Sequence, residues 1–152
     1  MRGMRLVERM LLQINAIYDG EAWHGTPLRR ILDDIDDEQA NARPIAGAHT
    51  IHELLAHIIA WNEIVQQRLT GVEVEATPEM DFPSVTGVTF AESLEHLQRA
   101  HSALIDTVAR MSDRDFDKKV PGTRYTNDYM LHGLLHHNTY HAGQIALLKK
   151  IK

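Results

Sequence analysis

The chain has 152 residues and a formal net charge of -5, with 43% hydrophobic and 24% charged residues, the makeup of one ordinary folded domain with a sizeable core. Its acidic balance offers none of the basic face that nucleic-acid binding requires, so a DNA-binding role is the least favoured reading. There is no cysteine, which excludes disulfides, thiolate metal sites and a cysteine nucleophile.

Residues Met1 to Leu12 have neither the long apolar stretch nor the cleavage site of a signal peptide. No run approaches the roughly 18 apolar residues of a membrane span. A cytoplasmic protein that does not enter membranes is therefore expected.

Apolar residues recur at three- and four-residue spacing from Leu6 through Met10, Ile14 and Ile17, which reads as a first helix ending near Asp19-Gly20. Thr26-Pro27 suits a helix start, with threonine as cap and proline at the first helical position. The short helix it opens runs through Leu28, Ile31 and Leu32. Residues 36–48 are polar and hold Pro44 and Gly47, so most of them read as a connection. Thr50-Ile51-His52-Glu53 fits a capping box and opens a helix of about 20 residues that ends at Thr70-Gly71. Residues 72–88, with Pro78, Pro83 and Gly87, read as a long loop, of the kind that is often functional. Thr89-Phe90-Ala91-Glu92 is a second capping box, opening a helix through Leu94, Leu97, Leu104 and Val108. Pro121-Gly122 breaks the pattern. Thr126 caps a last helix from Asn127 nearly to Lys152. The sum is an all-α, four-helix bundle with one short extra helix, spanning 1–152 as a single domain, and bundle interiors are places where metal sites are built.

Ten histidines are the oddity of the composition, because histidine is the commonest metal ligand and the usual general base. On a helical wheel of the last helix with Met130 at zero, Leu134 falls at about 40°, Ile145 at about 60° and Leu148 at about zero. His137 lands near 340° and His141 near 20°, in the middle of that stripe, whereas His132 and His136 fall at about 200° and 240°. Two imidazoles one turn apart in a core are costly unless something satisfies them, and one metal ion does so. No glutamate stands between them, so metalloprotease chemistry is not indicated. A third ligand is needed. His57 flanks the apolar side of the second long helix, with Leu54, Ile58, Trp61 and Val65, and His52 is a weaker candidate.

The ordinary alternative for each of these histidines is a hydrogen-bonded core residue. His24, His49, His96, His101, His132 and His136 are read as surface or half-buried, and Trp23, Trp61 and Tyr140 as core.

Two segments, His-Thr-Ile-His-Glu-Leu-Leu-Ala-His-Ile-Ile-Ala-Trp (49–61) and His-His-Asn-Thr-Tyr-His-Ala-Gly-Gln-Ile-Ala-Leu-Leu (136–148), resemble the two signatures of the DinB-like superfamily. Gly20-Glu21-Ala22-Trp23-His24-Gly25 is similar to a stretch in one of its branches. The resemblance covers nearly the whole chain. It implies an up-down-down-up four-helix bundle, a homodimer, and one divalent metal held at the positions of His57, His137 and His141. Its known relatives include bacillithiol- and mycothiol-dependent S-transferases and proteins described as metal-dependent hydrolases.

Three neutral imidazoles leave a coordination shell incomplete, as in catalytic rather than structural zinc sites. Such an ion lowers the pKa of bound water toward about 7 or activates a thiolate. Zinc or nickel is the first expectation, with manganese or iron also compatible with imidazole ligands. Gln144, Asn138, Glu53 and Asn62 are in range to orient the rings. No residue stands out as a general base. The function expected is therefore transfer of a low-molecular-weight thiol to a small-molecule electrophile, or a related hydrolysis, with loop 72–88 as a cover. The alternative is a non-enzymatic metal-binding stress or interaction protein.

Overall fold

The computed structural model describes residues 3–151. Four long helices form the frame: α1 (Leu6–Asp19), α4 (Ile51–Leu69), α6 (Phe90–Ala109) and α8 (Asn127–Leu148). Four short ones fill the connections: α2 (Leu28–Leu32), α3 (Asp37–Asn41), α5 (Pro78–Asp81) and α7 (Asp113–Phe116).

The capping signals act where the sequence places them. Thr50 Oγ1 accepts from the Glu53 amide, and the Glu53 carboxylate accepts from the Thr50 amide, so two orphan donors of α4 are satisfied reciprocally. Thr89 and Glu92 do the same for α6, and Thr126 caps α8 by accepting from the Tyr129 amide. The chain leaves α4 through Gly71, whose φ of +89° is open to glycine at no steric cost. At α2 the sequence reading needs correction by one residue. Pro27 is the cap, not the first helical residue, and Thr26 makes no cap bond.

In the frame, α4 packs on α6 and α8, and α1 packs on the same two, so α1 and α4 lie diagonally. The cores fix the directions. At one end Val7, Met10 and Ile14 from the start of α1 meet Val65 from the end of α4, Leu104 and Val108 from the end of α6, and Met130, Leu131, Leu134 and Leu135 from the start of α8. At the other end Tyr18 meets Leu54, Leu55 and Ile58 of α4, Leu97 of α6, and Ala142, Ile145 and Leu148 of α8. This is the up-down-down-up order. Burying Leu55, Ile58, Leu97 and Ile145 completely contributes about 1.5–3 kcal/mol each.

Three expectations about the connections are revised. One short extra helix was anticipated, and four are present among the described residues. Residues 36–48 contain α3, capped by Asp36, and residues 72–88 contain α5, where Thr77 caps and Pro78 occupies the first turn. These single turns carry too few apolar positions for a helical period to appear in sequence. Among the described residues, no helix is long and apolar enough to cross a membrane.

Candidate metal centre

His57, on α4, is buried, and His137 and His141, one turn apart on α8, are half-buried. The helix crossing brings one nitrogen of each ring within 4.8 Å of the others. Nε2 of His57 lies 2.8 Å from Nε2 of His137 and 3.1 Å from Nε2 of His141. The outward nitrogens all meet oxygen acceptors. His57 Nδ1 donates to the backbone carbonyl of Asp81 (2.6 Å), His137 Nδ1 to Asn138 Oδ1 (3.1 Å), and His141 Nδ1 to Gln144 Oε1 (2.6 Å). The Asn138 amide is itself oriented, since its Nδ2 donates to Asn62 Oδ1 at 2.9 Å.

A neutral imidazole carries one N–H, and here every N–H is engaged on the Nδ1 side. All three Nε2 atoms therefore present bare lone pairs to one another. Three acceptors converging without a donor repel, and a cation at their focus removes the repulsion. A tetrahedral zinc ion with bonds of about 2.0–2.1 Å holds its ligand nitrogens roughly 3.3 Å apart, so the spacing fits an ion after shifts of a few tenths of an ångström. Burial, assisted by the neighbouring His141 and His57 rings and opposed by the Asn138 hydrogen bond, holds His137 down at about 4. Burial also lowers His141. Both rings are thus neutral near pH 7, the form that ligates metals.

His52 is the contrast. Fully buried, its Nδ1 donates to Asn41 Oδ1 (3.1 Å) and its Nε2 accepts from Ser93 Oγ (2.8 Å). One donor and one acceptor are both satisfied, which is the ordinary structural histidine. His101 also lies apart from the cluster, and it is buried rather than surface or half-buried as its sequence position suggests. It stacks on Tyr18 at 3.7 Å and donates from Nε2 to Asn15 Oδ1.

Other sequence readings shift. His137 and His141 do not sit mid-stripe. The buried face of α8 runs through Leu131, Leu134, Leu135, Asn138, Ala142 and Ile145, and the histidines lie on its edge. Met130, the zero of the wheel, itself lies near that edge, which accounts for the offset. Trp23 and Tyr140 are exposed, not core, and Trp61 is half-buried. Of the orienting candidates, Asn138 and Gln144 touch a ring and Asn62 acts through Asn138. Glu53 instead joins Arg43, His49 and the Thr50 cap.

Sequence reasoning missed Asp81 and Phe82, which follow from the α5 turn. The Phe82 ring lies between His49 (3.9 Å) and His57 (4.1 Å), nearly parallel to both. The Asp81 carboxylate accepts from Trp61 Nε1 at 2.8 Å and stands 3.4 Å from His57 Nδ1. Their only sequence trace is the length of the loop that carries them. Beside His137 opens an apolar cleft of about 270 Å³, walled by Trp61, Val65, Tyr129, Met130 and Leu134.

No curated protein and no solved structure matches the chain. The family model of the DinB superfamily matches residues 22–145, a stretch that takes in most of the chain and all three converging histidines. The chain belongs to the DinB superfamily.

Proposed function

We propose that this protein is a divalent-metal enzyme in which His57, His137 and His141 are the protein ligands. In this reading it transfers a low-molecular-weight thiol to a small electrophile or carries out a related hydrolysis. The observation that carries the reading is the convergence of three Nε2 lone pairs whose Nδ1 protons are all committed elsewhere. An ion there, zinc or nickel first and manganese or iron also compatible, supplies a Lewis acid with an open position for water or a thiolate.

The remaining roles belong to the chain. Gln144, Asn138 and the Asp81 carbonyl fix the ring tautomers, which keeps each Nε2 available. Phe82 covers one face of His57 and limits water on that side. The cleft next to His137 seats the apolar part of a substrate, and its presence favours a reactive site over an ion that only stabilises the bundle. The homodimer and the single-domain organisation belong to the same reading. Tyr140 and Leu147, exposed and seven residues apart on α8, supply an apolar stripe for a second copy.

The test starts from untagged protein and its metal content by mass spectrometry. About one equivalent is expected, lost on replacing His57, His137 or His141 by alanine and kept on replacing His132 or His136. Turnover of an alkyl halide only when a small thiol is added marks a transferase, and ester hydrolysis without thiol marks a hydrolase. An ion present with neither activity across such panels supports the non-enzymatic alternative. No metal, and no uptake of zinc, nickel or manganese, ends the proposal.

A further inference from the structure

At the end of α4, Arg68 is 8% exposed and lines the cleft that begins at His137. Its Nε and Nη2 both donate to the Val74 carbonyl (3.1 and 2.7 Å), and Nη1 donates to the Tyr125 hydroxyl (2.9 Å). All of these acceptors are neutral. Among the described residues no carboxylate stands within 4.0 Å of the guanidinium, although Arg5, Arg29, Arg30, Arg43 and Arg99 each have one. The C-terminal end of α4 supplies only a partial negative charge.

A buried cation without a counter-ion is costly, and an anion docked beside it recovers that cost. Arg68 has five N–H groups and three are engaged, so two remain. Tyr125 accepts from Arg68, which leaves its own O–H free to donate. No acidic residue lines this cleft. On its other side Arg68 borders a second cleft that also holds Arg110, Lys118 and Lys119, against one acid, Asp115. Trp61 neighbours both the guanidinium and His137. Its ring is 5.8 Å from the Arg68 guanidinium carbon and 5.8 Å from the His137 ring.

We infer that this cleft takes a small organic anion. Its carboxylate or similar group docks on Arg68 and the Tyr125 hydroxyl, and its apolar body lies along Trp61, Met130 and Leu134 toward the histidines. The inference names the substrate class of the proposed metal site and rests on that reading for the reacting end of the molecule. The anion-docking end is independent of the metal and stands on Arg68 with the Tyr125 hydroxyl.

Phenylacetate and its uncharged isostere phenylacetamide are suitable probes, titrated into the full chain and followed by amide and Trp61 indole resonances. Phenylacetate is expected to perturb Trp61, Met130 and Leu134 and to bind at least about tenfold more tightly than the amide, the range of a charge-assisted hydrogen bond. Arg68→Gln should remove that preference. Should Arg68→Gln misfold, since it also releases Val74, Tyr125→Phe tests the same pocket and should weaken phenylacetate severalfold with little effect on the amide. The preference should persist after chelation of all metal and in His57→Ala. A preference that vanishes with the metal would place the carboxylate on the ion, which overturns the role of Arg68 and leaves the metal reading intact. Equal binding of the two probes, perturbation elsewhere, or none from phenylacetate or phenylphosphate at millimolar concentration also overturns it. An Arg68-dependent preference in a protein that takes up no metal would instead sink the metal reading and keep the anion site.

Discussion

Nε2 of His57 and Nε2 of His137 face each other across 2.8 Å, and the Nδ1 proton of each ring is already given to an oxygen. In a neutral pair this contact has no proton to share. That distinguishes it from the buried His52, whose two nitrogens meet one acceptor and one donor. Burial alone therefore does not set the converging histidines apart; the donor count does.

The same count makes the orienting residues testable. Gln144 holds His141 at 2.6 Å, and without it the ring is free to turn its Nε2 away or change tautomer. Gln144→Ala is expected to keep about one metal per chain but to weaken binding roughly 10–100-fold. Competition against a chromophoric chelator reads this directly. Unchanged affinity would mean that α8 packing alone orients His141.

Phe82 belongs to no long helix, yet it is stacked between His49 and His57. Losing a stacked contact of about 1 kcal/mol should raise the metal dissociation rate about fivefold in Phe82→Ala. Hydrogen exchange at residues 78–82 should slow when metal is added to the native protein, and much less in the variant. If exchange there ignores the metal, the segment is a passive connection.

The sequence carried the frame because long helices repeat their apolar positions many times and because three threonine caps mark where they start. It carried the histidine cluster for a related reason: His137 and His141 are neighbours on one helix, and their pairing is local. His57 reached the site only through the crossing of α4 and α8, so its periodicity indicated an inward edge and not a partner. Asp81 and Phe82 were illegible because a single turn has no period and a backbone carbonyl acceptor has no side-chain identity. Gln144 was one of four residues in range of the rings, and choosing it over Glu53 required knowing that Glu53 is occupied by Arg43 and the cap.

Thr50 offers a control that separates stability from site chemistry. It is buried at the start of α4 and completes the box with Glu53, seven residues before His57. Thr50→Ala should cost about 1 kcal/mol, which for a domain of this length lowers Tm by roughly 2–4 °C. Metal stoichiometry should stay unchanged, by thermal unfolding and mass spectrometry on one preparation. Loss of metal with an intact fold would mean that the helix start positions His57 more directly than its place in the sequence suggests.

Acid should unfold the metal-free protein early, and His101 allows a share of this to be isolated. Burial holds its imidazole at about 4, below the usual 6.5, with only Asp19 acting the other way. His52, His137 and His141 are lowered by burial as well. Between about 6.5 and about 4 the unfolded chain binds protons that the folded one refuses, so stability rises with pH across that window and falls as pH drops through it. Above the window the rings are neutral in both states and contribute no slope. In chelator-treated protein, Tm should therefore decline from pH 6.5 toward 4, and more gently in His101→Gln, whatever that substitution does to Tm at pH 7.5. Parallel acid limbs for the two proteins would mean that the His101 ring is charged within its stack on Tyr18 and that burial does not set its titration.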